Sequence, residues 1–443
     1  MRAHLLKWWN DLRSSYWFLP AVMTVVALLT APLLLWIDHR FGNQLGNWTA
    51  GMASNQPEGA RALLSTLAGS MITVAGLTFS MTLLAVSHAS TQFGPRLLSN
   101  FMRNRGNQFV LGVYVATFLY CLVILQAVRT SDDSVSPPGQ AFVPHVSVMV
   151  ALLLAIANVG VLIYYIHHVA DSLRLSSIVA TVGHALHRPA DQLFPQPVFQ
   201  PAEEAIEKQT DTSAELREAL QRQPRIVHAE RAGFLQTLDL AGLLEVASEH
   251  DLVIELLSKP GDFLPQGAPL LRAAPGDRVD DALANKLANY HAKGIHRTPT
   301  QNAVFLADQL AEVAMRGVSP GVNDPHTAID CLHWLTSFLN QLRDRPDPSG
   351  QLYDDQGIVR LIAPRVTYNL FCDVIYRQLI PYVGRDENAS RAMLEGLNWL
   401  IGEERSNERI LRLRQQANHL FEAIEAANWP STSRQAIEQL RPT

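Results

Sequence analysis

Acidic side chains are missing from a long stretch of this sequence: neither Asp nor Glu occurs between Glu58 and Asp132. Proton- and cation-coupled transporters usually keep a carboxylate inside the membrane, so that class loses weight. Cysteine is scarce as well. Cys121, Cys331 and Cys372 stand far apart with no ligand spacing, which reads as three reduced structural thiols. Positive charge is not in excess, since the formal net charge is −5. Residues 1–166 carry nine Lys/Arg against five Asp/Glu, and the remainder 27 against 36. So acidic a second part argues against nucleic acid, whose phosphates need a basic face. Enzyme signatures are lacking too: no Walker lysine loop, no GxSxG, no HExxH and no paired carboxylates beside a base. The expectation is a protein that is not an enzyme and holds no cofactor or metal. Among its 15 histidines, His184 and His187 share a helix face, but no third ligand joins them at a usual spacing. No small-residue cleavage site follows the first apolar run, so no secretory signal is expected.

What is present is apolar length. Four segments, about Trp17–Ile37, Leu63–Ser87, Gln108–Val128 and His145–Ile166, each approach the roughly 20 residues of a spanning helix. None of them, so bounded, contains Asp or Glu. Trp8, Trp9, Tyr16, Trp17, Trp36, Tyr164 and Tyr165 mark their borders as an interfacial belt would. Arg2, Lys7 and Arg13 before the first segment, with Arg96, Arg103 and Arg105 after the second, place both termini in the cytoplasm. A multi-pass protein of a bacterial inner membrane is expected.

The second segment is unlike the others. Ser65, Gly69, Thr73, Gly76, Ser80 and Ser87 fall within about 80° of one another at 100° per residue. Leu67, Met71, Val74, Met81 and Ala85 hold the reverse side, interrupted by Thr78. Such a stripe faces either a closely packed helix or water in a pore. His88 follows it as a titratable ring near a mouth, or as a snorkelling interfacial side chain. Arg61, Arg96, Arg103 and Arg105 either fix topology and meet lipid phosphate, or give the mouths a field that favours anions.

Residues 167–224 read as an amphipathic helix and a Pro-, Gln- and Glu-rich linker. Residues 225–275 read as a small β-rich subdomain, because strand-like runs there are bounded by Gly and Pro. Residues 276–443 carry apolar positions at helical spacing. Two helix starts are predicted there: a capping box at Thr298–Gln301, and Asp324 capping a helix opened by Pro325. The preceding loop offers Ser319, Gly321, Asn323 and Asp324 either as helix-capping residues or as an anion cradle.

Three stretches, ARALLSTLAGSMITVAGLTFSMTLLAVSHASTQFGPRLLSNFMRNRGNQ (Ala60 to Gln108), PGDFLPQG (Pro260 to Gly267) and MRGVSPGVNDPHTAIDCL (Met315 to Leu332), resemble a bacterial family of predicted membrane proteins of unknown function. The resemblance runs over nearly the whole chain. It implies an integral membrane α-helical domain of four spans, then a mostly α soluble domain, and carries over no catalytic or ligand residue. A second resemblance covers Arg225–Ala273, which looks like a biotinyl/lipoyl-type barrel-sandwich. The shape is expected without the carrier chemistry, since the only nearby lysine, Lys259, sits beside Pro260 and not at a hairpin tip. Two functions follow: a homo-oligomeric channel lined by the second span with a cytoplasmic regulatory domain, or a membrane-anchored sensor or scaffold that transports nothing.

Overall fold

A computed structural model describes residues 15–49, 56–93, 105–129, 142–172, 174–194, 220 and 223–442. They divide into two compact units, the first ending at Arg174 and the second running on from Leu175.

The first unit is four helices: α1 (Phe18–Thr49), α2 (Pro57–Phe93), α3 (Arg105–Ala127) and α4 (His145–Ser172). Each holds a stretch long and apolar enough to cross a membrane: Phe18–Phe41, Pro57–Ser87, Arg105–Ala127 and His145–Val169. α3 is the most enclosed, and α1 and α2 both pack along it. Leu64, Tyr120, Ile124 and Ala151 form one part of the core, and Val110, Tyr114 and Tyr165 another. Close approach inside the bundle falls on Gly112 of α3. A Cβ there would stand 2.6 Å from Met23 Sδ and 3.2 Å from Pro20 Cα, so any larger residue must displace the Met23 side chain and push α1 back. The first candidate span runs to Phe41 and so includes Asp38, correcting the expectation that the spans are free of acids. Asp38 is tolerated because it is paired, as described below.

The second unit begins with α5 (Leu175–His187) and a short α6 (Ala190–Leu193). The strands are β1 (Arg225–His228), β2 (Gly233–Leu238), β3 (Val253–Leu256), β4 (Phe263–Leu264), β5 (Pro269–Ala274), β6 (His291–Gly294), β7 (Gln351–Tyr353) and β8 (Val359–Ile362). They make a five-stranded sheet, β1-β5-β3-β8-β7, and a three-stranded sheet, β4-β2-β6. Leu235, Leu238 and Leu264 of the smaller sheet share one core with Ile254, Leu256, Leu271 and Leu361 of the larger. The sheets therefore recruit β6, β7 and β8 from beyond residue 275, where a helical pattern was expected. Each is four residues or fewer and owes its state to the strand it joins: β6 pairs antiparallel with β2, β8 parallel with β3.

The remaining helices are α7 (Leu240–Glu249), α8 (Asp281–Ala288), α9 (Ala303–Gly317), α10 (Pro325–Leu342), α11 (Tyr368–Cys372), α12 (Gln378–Val383), α13 (Glu387–Glu403), α14 (Asn407–Ala426) and α15 (Ser431–Glu438). One turn of π-helix, Asp373–Arg377, joins α11 to α12. The buried Arg409 guanidinium closes the C-terminus of α10: it donates to the carbonyls of Leu342, Arg343 and Arg345 at 3.0, 3.0 and 2.8 Å. The capping box at Thr298–Gln301 does not form. Gln301 takes a positive φ of 56°, and its side-chain amide pairs with both backbone groups of Leu238, at 2.9 and 3.1 Å. The helix starts four residues later than that box would set it, at Ala303, where Asn302 accepts from the Phe305 amide at 3.0 Å. A tertiary bond has taken Gln301 away from the local one.

Candidate functional site

On α2 the apolar and small faces separate, as 100° per residue requires, and the structure fixes which points where. Ala60, Leu64, Ala68, Met71, Ala75, Thr78, Thr82 and Ala85 are buried against the other helices. Ser65, Gly69, Thr73, Gly76, Ser80 and Ser87 are all exposed on the outside of the subunit. No atom of the described residues lies within 4 Å of where a Cβ of Gly69 or Gly76 would stand. Of the reverse side, Met71, Thr78 and Ala85 are buried, Leu67 and Val74 half-buried, and Met81 exposed. Among the described residues of the first unit, then, the stripe is left exposed, and Gly112 is a point of close packing.

The outer surface sharpens the contrast. α1 presents Val22, Val25, Val26, Leu29 and Leu33, and α4 presents Leu153, Ile156, Val159, Ile163 and Ile166. α2 presents small and hydroxylated residues edged by Ile72 and Leu83 on one side, Leu77 and Leu84 on the other. Thr66, Ser70 and Thr73 on this exposed side donate to their own helix, to the carbonyls of Ala62, Thr66 and Gly69, each at 2.8 Å. Their hydrogens are satisfied, and lone pairs remain on the surface.

The other candidates are scattered. Arg61 donates to the Val128 carbonyl at 2.9 Å, just past the end of α3, where a cation suits the helix terminus. Arg105 is exposed at the first residue of α3. Arg96, Arg103 and the His88 side chain lie outside the described residues. In the 319–324 loop, Asp324 caps α10: its Oδ1 accepts from the Thr327 amide at 3.2 Å and its Oδ2 from the Thr327 hydroxyl at 2.6 Å. The amides of Val322, Asn323 and Asp324 bond to Ser319 and Gly317 carbonyls, and the Ser319 hydroxyl to Arg316 O. Gly321 is exposed with open space around it. A carboxylate already occupies the helix N-terminus that an anion would want.

Polar groups that the sequence reading passed over line the interior of the first unit. Asp38 near the end of α1 accepts from the amides of Val146 and Ser147, both at 2.9 Å, and from the Ser147 hydroxyl at 2.6 Å. Tyr120 of α3 donates to Ser147 O at 3.0 Å. Midway, Asn158 of α4 donates to Thr117 Oγ1 at 3.0 Å while Tyr114 donates to Asn158 O at 3.0 Å. Further along α4, Tyr165 donates to the Thr78 carbonyl of α2 at 2.6 Å, beside Thr82 Oγ1 at 3.1 Å. A lone Asn inside VALLLAIANVGVLIYY was the visible signal for one of these bonds.

In the second unit titration is perturbed by structure. Burial pushes the His291 imidazole down to about 4, so it is neutral at physiological pH. Hydrogen bonds from Arg278 and Arg360 hold the Asp251 carboxyl below its ordinary range, and Arg360 does the same for Asp354. His187 and His184 pack edge-on against Trp334, with ring centroids 5.7 and 4.6 Å away, and His187 Nε2 lies 3.1 Å from Ser337 Oγ. Lys259 Nζ bonds Asp262 Oδ1 at 3.2 Å inside its own turn.

Residues 13–398 match a family described as "Predicted membrane protein (DUF2254)". Uncharacterized proteins of Mycobacterium bovis and Mycobacterium tuberculosis are each 29% identical over 392 residues, which cover 87% of this chain and 72% of the relative. No solved structure matches.

Proposed function

We propose that this chain, which belongs to the predicted membrane protein family DUF2254, is one subunit of a homo-oligomeric channel whose path is lined by α2. One observation carries the reading: Ser65, Gly69, Thr73, Gly76, Ser80 and Ser87 point outward, on a surface where α1 and α4 present Val, Leu and Ile. Lipid tails give that stripe no partner, whereas a ring of copies gives it water and the hydroxyl oxygens a solute to hydrate. The subunit's own interior is filled by side chains such as Tyr114, Tyr120 and Ile124, so the path lies between subunits. The second unit, on the cytoplasmic side with both chain termini, regulates or tethers it. The membrane is the bacterial inner membrane, and the reading assigns the protein no catalysis.

Cysteine accessibility tests this directly. Single substitutions Gly69→Cys, Thr73→Cys, Gly76→Cys and Ser80→Cys, with Leu67→Cys, Met71→Cys and Val74→Cys as controls, are treated in membranes with a charged thiol reagent. The reagent needs thiolate, so a wet stripe reacts and a dry contact does not. Modification of the first set alone, with conductance in a planar bilayer, is expected. Crosslinks between stripe cysteines without modification would favour the sensor or scaffold, whose copies meet in a dry interface.

A further inference from the structure

We propose that α2 carries a hinge at Gly76–Thr82 and that Tyr165 of α4 is the latch that holds it. In a helix the Thr78 carbonyl accepts from the Thr82 amide. Here the same oxygen also accepts from the Thr82 hydroxyl at 2.8 Å and the Tyr165 hydroxyl at 2.6 Å. A carbonyl has two lone pairs, so three donors share them and the backbone bond of this turn is weakened. Side chains that enter the ladder this way, and Thr back-bonds themselves, are recognised causes of helix bending. One turn earlier Thr78 Oγ1 bonds to the Ala75 carbonyl at 2.9 Å, adding a second back-bond.

The two sides of this turn are supported unequally. On the buried side Phe79 is flanked by Tyr16 and Trp17, with ring centroids at 6.3 and 6.2 Å, and Tyr165 adds its hydroxyl. On the outer side no atom of the described residues stands within 4 Å of the Gly76 Cβ position, and a glycine in a helix interior is less stable there than alanine. The Gly76–Thr82 turn is therefore held by contacts from Tyr165 of α4 and from Tyr16 and Trp17, just ahead of α1, and the segment beyond it follows. Released from Tyr165, it swings about the Gly76–Thr82 turn. The device stands whether the stripe is wet or dry; in a channel it would move one end of the lining helix.

Double electron–electron resonance on the full chain in nanodiscs, diluted with unlabelled copies, tests it. Cys121, Cys331 and Cys372 are buried and do not compete for label. One labelled pair, Ser87→Cys with Ile163→Cys, reports across the hinge; a second, Ser65→Cys with Leu153→Cys, reports on the other half of the bundle. Tyr165→Phe keeps the ring and its packing but removes the latch. It is expected to add a population displaced by about 5 Å or more to the first pair and leave the second unchanged, since roughly nine residues of helix at 1.5 Å each form the lever. Gly76→Ala in the same background should remove that population. An unchanged first pair, equal broadening of both pairs, or persistence of the new population with alanine at 76 would each overturn the hinge.

Discussion

Glycine is used twice in the membrane unit, in opposite ways. Gly112 faces inward, where a Cβ would displace the Met23 side chain and crowd the Pro20 backbone. Gly76 faces outward, where no atom of the described residues stands within 4 Å. The same residue is thus a packing requirement on α3 and an unfilled position on α2. The same division separates the outer surfaces: branched aliphatics on α1 and α4, Ser, Thr and Gly on α2. What the difference teaches is that α2 has the smaller and more hydroxylated outer side, with Ile72, Leu77, Leu83 and Leu84 set along its edges. On the proposed reading, a subunit whose own close packing rests on Gly112 keeps that stripe for a path between copies.

The largest effect comes from exchanging the two glycines' roles. Gly112→Leu should destabilise the subunit by about 3 kcal/mol or more through overpacking. Gly76→Leu should leave subunit melting in detergent unchanged or slightly raised and instead reduce conductance in a planar bilayer. Equal melting losses for both would erase the distinction between inner and outer faces. Next is what an inward position demands of a titrating group in the second unit. His291 has a folded pKa of about 4 against an ordinary 6.5, so the unfolded chain binds the extra proton between those values. Its contribution is complete above pH 6.5 and declines as pH falls toward 4, by about 3 kcal/mol at most. His291→Leu should flatten that slope in a thermal melting series; an unaltered slope would remove His291 as its source.

Asp38 extends the comparison to charge: it is buried and fully engaged, whereas Glu58, at the first turn of α2, is exposed. Asp38→Ala strands two amides and a hydroxyl at the start of α4, and should cost about 2 kcal/mol in subunit melting. No loss would mean that those donors find other partners. The smallest effect is at the 319–324 loop, where Asp324→Ala removes one cap. It should lower the melting of the second unit by about 1 kcal/mol, and inorganic phosphate should neither add to nor rescue that loss. Rescue by phosphate would revive the anion cradle.

Much of this was legible in the sequence because it is local. Four apolar runs of spanning length, the segregated faces of α2 and the Asp324–Pro325 helix start all depend on neighbours within a few residues. The failures are all long-range. Gln301 was read as the end of a capping box, but Leu238, 63 residues away, claims its amide. β6 and β8 fall in a region read as helical, and become strands because β2 and β3 give them edges to pair with. Asp38 fell one residue past the predicted span and found its donors 108 and 109 residues on.

The sequence by itself determined that α2 has two faces, for the angle between Ser65 and Met71 follows from helix geometry alone. Only the tertiary structure decided that the small face points out. In water the hydrophobic effect would have turned the apolar face inward and made the choice readable. In a bilayer lipid tails accept Leu and Met as readily as a protein core does, so transfer energy does not choose between the faces. The choice was made instead by contacts at a distance: Met71, Ala75 and Ala85 packing into the bundle, and Tyr165 reaching the Thr78 carbonyl from 87 residues away.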